Sequence, residues 1–311
     1  DASSSVFASI SDWNDGSRLL VRNAGDLRVT GTVDGASVIN SGVLEIGSLA
    51  SGGMSGERKR LWNRGGETLL SGASDYTGVT LVDGGRLTAG NAYALSAASR
   101  TTVGRAGVLD LGGVEQRVQT LRTLSGVREG SDPGVVENGD LFSTDVLNAG
   151  VMDVGNLTIE SGSRRVVGGT NVQLQAGLLN SGRLSTTGDL RFVSNGASAD
   201  VELGQLLLNS TDGVMEISGD LAFAGQSDLL VNRGELNVSG DNGIQMGGGN
   251  DVVLTDGVMR LNNDNSNVVD GGEALDLDAR TGLNVFSYRG GRDGDAGVNE
   301  NQLVNFAAVQ L

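Results

Sequence analysis

The chain has no histidine and no cysteine in 311 residues. Without histidine there can be no Ser-His-Asp triad and no histidine-bound zinc, and without cysteine no thiol nucleophile or thiolate-bound metal. A lack of cysteine suits a chain that crosses membranes unfolded, but cytosolic chains share it, so it decides little about compartment. Proline occurs once, at Pro133. Each proline deletes a backbone donor, so its near-absence protects a long hydrogen-bonded ladder. Aromatic residues make up 4% of the chain, which points to a thin aliphatic core rather than a compact heart of Phe and Trp. Lysine also occurs once, in the basic run Glu57-Arg58-Lys59-Arg60, which reads as a solvated loop tip. The net charge of -16 argues against nucleic acid or anionic lipid as a partner. No apolar run approaches the roughly 20 residues needed to span a bilayer. The first residues, Asp1-Ala-Ser-Ser-Ser, lack the basic and apolar regions of a signal peptide, so any export signal is expected to have been removed.

What the chain has in excess is glycine, 51 residues of 311, and the glycines are ordered. Ten stretches repeat one pattern: glycine, any residue, a large aliphatic, any residue, then a small or aliphatic residue. Gly25-Asp-Leu27-Arg-Val29, Gly42-Val-Leu44-Glu-Ile46 and Gly213-Val-Met215-Glu-Ile217 are examples, and a blurred copy sits at Gly66-Glu-Thr-Leu69. Gly85 to Gly107 is 22 residues, Gly213 to Gly234 is 21 and Gly234 to Gly257 is 23. A glycine-led strand returning at this interval marks a chain that coils and stacks on itself. Collagen is excluded, because glycine does not fall at every third place. At about 4.8 Å per rung the repeat predicts roughly 14 rungs and a rod about 65 Å long, one elongated domain over residues 1–311. Leu27, Leu44, Leu87, Leu109, Met152, Leu184, Met215, Leu236 and Met259 are the expected interior columns.

Asparagine stands two places before the strand-opening glycine in Asn23-Ala-Gly25, Asn40-Ser-Gly42, Asn148-Ala-Gly150, Asn180-Ser-Gly182 and Asn232-Arg-Gly234. Asparagine bonds readily to its own backbone, so Asn-x-Gly reads as a corner, and one such corner per turn predicts a stacked asparagine ladder. Glycine at these corners is expected to supply positive backbone angles. Only Asn91 to Ala98 and Glu115 to Leu124 are candidates for a helical turn. The repeat is interrupted at Ser48 to Arg64, Ser125 to Asp140 and Arg289 to Asn301, which are the expected loops.

Residues 69–125 carry a more specific run: Asp75-Tyr-Thr-Gly78, the strand to Gly85-Arg-Leu87, Gly90-Asn-Ala-Tyr-Ala-Leu-Ser96, Gly107-Val-Leu-Asp-Leu-Gly-Gly113, Gln116 and Leu121. This segment resembles the passenger-associated transport repeat of bacterial autotransporters, the type V secreted proteins. Residues 269–311 are similar to a repeat of large autotransporter adhesins, in Asp270-Gly-Gly272, Asp276-Leu277 and Val304-Asn-Phe306. There Ala274 replaces a corner glycine and Ala307 a glutamate. The resemblance implies an all-β fold, a right-handed single-stranded parallel β-helix with roughly 22 residues per rung, carried through the outer membrane by a carboxy-terminal barrel. It implies a bacterial cell-surface or extracellular location. It also implies a passenger fragment whose last strand, Leu303 to Leu311, continues into further rungs in the intact protein. The Gly-Asp-Ser-Gly motif of the serine-protease autotransporters is missing.

Glycosidase chemistry needs only two carboxylates, and Asp251, Asp256, Asp276 and Asp278 could stack on neighbouring rungs. An acidic chain offers many such coincidences. Gly247-Gly-Gly249-Asn-Asp251-Val-Val253 matches part of a calcium-binding nonapeptide, and Asp276 follows Asp251 by about one rung. No second copy follows nine residues on, so a metal-free corner is the preferred reading. No catalytic, cofactor or metal residue is assigned. The expected function is a non-catalytic adhesin rod that attaches to a host-cell surface, a matrix protein or a glycan. Self-association with sister-cell passengers is the alternative, and a polysaccharide-degrading β-helix the remote one.

Overall fold

In the computed structural model the strand-and-corner pattern closes into a parallel β-helix. The described residues are 4–11, 19–50, 60–126, 132–161, 175–194, 204–224, 228–246, 251–255, 257–261, 268–270, 285–288, 303–304 and 308–310. Among them there is no helix, and every pairing with a resolved register is parallel, each strand bonding to its equivalent in the next turn. Contacts gather into two compact units. One holds Asp1–Ser143 and Ala149–Val154, the other Thr144–Asn148 and Gly155–Leu311.

Three strand positions recur in each turn. The first ends in the corner asparagine, as in Ser37–Asn40 or Leu229–Asn232. The second opens on or just after the repeat glycine, as in Gly107–Asp110 or Glu235–Val238. The third is shown in the second unit by Leu157–Ser161, Leu190–Ser194, Leu221–Phe223 and Gly243–Gln245. In the second unit, stacking each position on itself makes three sheets around a buried aliphatic interior.

The glycine-led strands align as the repeat predicts. In the first unit Leu27, Leu44, Thr68, Leu87, Leu109, Val136 and Met152 stand in register. In the second, Leu184, Met215, Leu236 and Met259 do the same. All the aliphatics among them are sealed from solvent except Leu27, which is half-buried, being packed against Ser5 of the preceding turn. The third sheet adds a column of Leu157, Leu190, Leu221 and Ile244, and Phe192 stacks on Phe223 at 4.4 Å. Such aliphatic columns supply about 25 cal/mol per Å2 of apolar surface removed from water, spread evenly along each unit.

Several expectations change. At the blurred copy Gly66-Glu-Thr-Leu69 the column place is filled by Thr68. Its hydroxyl donates to Asn63 Oδ1 at 2.9 Å and accepts from Asn40 Nδ2 at 3.0 Å, which lets a polar residue sit in the core. Glu115–Thr123 is a strand, its end paired with Arg100–Val103; Gln116 and Val118, then Leu121 and Thr123, face inward as two runs of period two with one step of three between them. Asn91 to Ala98 makes turns without a helix. The interruption at Ser125 to Asp140 contains a full rung strand, Val135–Glu137, whose Val136 fills the column. Within Ser48 to Arg64, both ends belong to strands, Val43–Ala50 and Arg60–Leu70, and residues 51–59 lie outside the described residues, as does the whole of Arg289 to Asn301. Of the expected last strand, Leu303–Val304 and Ala308–Gln310 are strand, and residues 305–307 and 311 lie outside the described residues.

The repeat glycines serve close approach more than backbone angle. Among the strand-opening glycines only Gly85 has a positive φ, +67°. At Gly66, Gly85 and Gly234 an added Cβ would lie 1.9, 2.1 and 2.1 Å from a carbonyl oxygen of the previous turn. The corner backbone of one rung rests directly on that of the next, which leaves no room for a side chain.

Candidate functional site

Each asparagine-ended strand carries its amide inward, where it meets the same residue one turn on. In the first unit Asn23 Nδ2 donates to Asn40 Oδ1 at 2.9 Å and Asn40 Nδ2 to Asn63 Oδ1 at 3.1 Å. In the second, Asn148 donates to Asn180 at 2.7 Å, Asn180 to Asn209 at 2.8 Å, and Asn209 to Asn232 at 2.9 Å. Asn232 then donates to the Thr255 hydroxyl at 3.2 Å. Each amide also bonds a carbonyl across the corner, such as Asn40 Nδ2 to Glu67 O at 2.8 Å and Asn209 Nδ2 to Glu235 O at 3.0 Å. The polar capacity is spent within the fold, so the ladder is structural and offers nothing to a ligand.

The transport-repeat-like residues are spent in the same way. Tyr76 is buried with its hydroxyl against that of Thr80 at 2.5 Å. Gln116, fully buried, accepts from Leu95 N–H at 3.0 Å and donates to Asn91 O at 2.7 Å, tying the Ala94-Leu95-Ser96 corner to the core. Their specific spacing therefore reports packing of one elaborate corner.

Of the carboxylates singled out in the sequence, Asp256, Asp276 and Asp278 lie outside the described residues. Asp251 is fully buried. Its Oδ1 accepts from Asp228 N–H at 2.7 Å, and Asp228 Oδ1 accepts in turn from Gln205 N–H at 2.8 Å, one turn apart each. Burial pushes the Asp251 carboxyl up to about 6, and the Asp228 N–H bond works against that rise. A carboxyl titrating near 6 is the right type for general acid chemistry, but this one is sealed beside the ends of strands it caps. Among the described residues no group of three or more acidic side chains could hold a metal ion.

What faces outward differs sharply between sheets. The glycine-led sheet is charged and self-paired: Arg86 reaches Asp110 at 2.6 Å and Glu137 at 2.8 Å, Arg183 reaches Glu216 at 2.6 Å, and Arg260 reaches Glu235 at 2.6 Å. The asparagine-ended sheet of the second unit is aliphatic. One outward column is Leu147, Leu179, Leu208, Val231 and Leu254, and beside it run Leu206, Leu229 and Val252. These side chains are half-buried by one another, with Leu147 and Leu254 exposed at 37% and 39%. The first column is apolar in all five strands, while the second is apolar in three and has Asp145 at its outward place beside Leu147. Reading for alternation misses this face. Its signal is that Leu206-Leu-Leu208-Asn209 and Leu229-Leu-Val231-Asn232 are apolar at every place before the asparagine, as in strands buried on both sides.

Compared with known proteins, the chain matches no family model, no curated protein and no solved structure.

Proposed function

We propose that this chain is a non-catalytic adhesive module, a passenger segment of the autotransporter type displayed at a bacterial surface, which attaches to host cells or matrix. The observation behind this reading is the aliphatic outer face of the second unit. A contiguous apolar sheet face on an acidic chain is a contact surface rather than a reaction centre. The resemblance of residues 69–125 to a transport repeat supplies the export route. Many copies on one cell would let weak contacts add by avidity.

The same face favours a second reading, self-association. An uncharged Leu and Val surface is complementary to itself, so two copies can meet through one patch. The experiment is attachment of beads coated with the chain to epithelial cells, matrix and one another, beside a Leu208→Arg variant whose change lies at the centre of the face. Binding to cells or matrix that Leu208→Arg removes supports attachment, and bead clustering alone supports self-association. Turnover of a polysaccharide that Asp251→Asn abolishes would overturn both in favour of an enzyme.

A further inference from the structure

In the first unit the corresponding sheet has a different outer face, and it runs against the charge of the whole chain. Six strands stack there: Leu20–Asn23, Ser37–Asn40, the starts of Arg60–Leu70 and Val79–Ala89, Arg100–Val103, and the end of Glu115–Thr123. Their outward positions carry Arg22, Arg60, Arg100 and Arg122, and Arg64 follows at the corner. None of these positions holds Asp or Glu, in a chain whose net charge is -16; Asp83 stands at the corner where the sheet ends. At about 4.8 Å per strand, the arginines are spread over about 24 Å of flat surface.

Four of these arginines are not spent as those of the neighbouring sheet are. In the neighbouring sheet Arg28 is paired with Glu45 at 3.1 Å, and Arg86 with two carboxylates. Among the described residues Arg22, Arg60, Arg64 and Arg122 have no carboxylate partner. Arg60 and Arg64 instead lie beside the outward ring of Trp62, their guanidinium carbons 5.7 and 4.6 Å from its centroid. The Trp62 indole N–H, covered by its neighbours, meets no acceptor among the described residues. A covered donor without an acceptor costs about 1–3 kcal/mol, so the site is short of acceptor oxygens.

We propose that this face binds an anionic polysaccharide, a glycan bearing sulfates or uronic carboxylates. Guanidinium forks suit planar, bidentate recognition of such oxyanions, and Trp62 offers a platform for the apolar face of a sugar ring. A linear polymer with an anion on each repeat matches cations spaced along a flat sheet. Nucleic acid is the poorer fit: its denser backbone charge meets stronger repulsion from the chain as a whole, and a single tryptophan gives no run of stacking platforms. This inference does not depend on the adhesive reading, since it concerns a glycan in solution and not attachment to a cell.

The test is retention of the intact chain on immobilised heparin at low ionic strength, with hyaluronate, neutral dextran and double-stranded DNA as competitors. Retention is expected to fall as salt rises. The pair Arg22→Ala and Arg122→Ala, and separately Trp62→Ala, should each weaken it about tenfold with the melting temperature unchanged. Arg28→Ala, an ion-paired arginine on the neighbouring sheet, should leave retention intact. Heparin or hyaluronate competing while dextran does not is the supporting pattern. No retention of the unmodified chain, equal loss in Arg28→Ala, or DNA competing as well as heparin would each overturn the proposal. Glycan binding without cell attachment would sink the adhesive reading and leave this one standing.

Discussion

Asp251 and the ladder asparagines are the residues where burial and chemistry conflict most. For Asp251 the folded carboxyl, at about 6, lies above its ordinary 3.8, so folding favours the protonated form. The stabilisation is fully present below 3.8 and is lost as pH rises through 6, which costs about 3 kcal/mol at neutral pH. Lowering pH from 7.5 to 5 should therefore raise the melting temperature of the second unit, apart from other groups. Asp251→Asn keeps an oxygen for the Asp228 N–H and should be more stable than the native chain at pH 7.5, with the gap closing by pH 4.5. A native melting profile equal to that of the variant at both pH values would show the carboxylate is not strained. Asn180 makes the opposite case, because its amide donates to Asn209, to Gly182 O at 3.1 Å and to Val214 O at 3.3 Å. Asn180→Ala should cost about 1–3 kcal/mol in urea denaturation, and Asn180→Asp more, since a carboxylate would face those same acceptors. An aspartate tolerated as well as alanine would mean that the ladder is not dry.

At the scale of one strand the decisive constraint is the distance between rungs. The glycine repeat was legible as period and position, but its reason was not. Positive φ explains Gly85, whereas at Gly234 the backbone is ordinary and a Cβ would meet Gly213 O at 2.1 Å and Ser210 O at 2.4 Å. Gly234→Ala should cost about 1–3 kcal/mol, as forced overpacking does, by pushing two turns apart. Thermal unfolding and amide exchange in Glu235–Val238 would register it, and an unchanged melting temperature would show that the corner yields. Strand existence was readable wherever the pattern was intact. Val135–Glu137 escaped because it is short and sits in a polar, glycine-rich stretch, where only its neighbours in the turns above and below identify it as a rung.

For the molecule as a whole, the net charge of -16 conceals faces of opposite character. One unit presents an aliphatic sheet face, the other a sheet face with arginines around Trp62. Leu208→Arg lies outward, so it should leave the melting temperature unchanged while reducing attachment or clustering by tenfold or more, as the loss of an apolar hot spot does. Full attachment by that variant would remove the apolar face from the function. Salt should separate the two surfaces: glycan binding weakens as ionic strength rises, while apolar contact persists or strengthens.

The sequence by itself determined the parallel β-helix, its repeat and most of its interior. Period-two alternation decides which side chains point in, and the recurring glycine-led pattern decides which strand position each occupies. Leu44, Leu87, Leu109 and Met215 needed no further information. Tertiary structure alone decided the rest, because each of those features depends on residues 23 to 31 places away in the neighbouring turn. It set the registers across uneven steps, such as Leu184 on Met215, and placed Thr68 in the core through Asn40 and Asn63. It sealed Asp251 over Asp228 and gathered single outward leucines and arginines into two continuous faces. A strand's sequence specifies its two sides, but only stacking specifies what each side becomes when it is repeated.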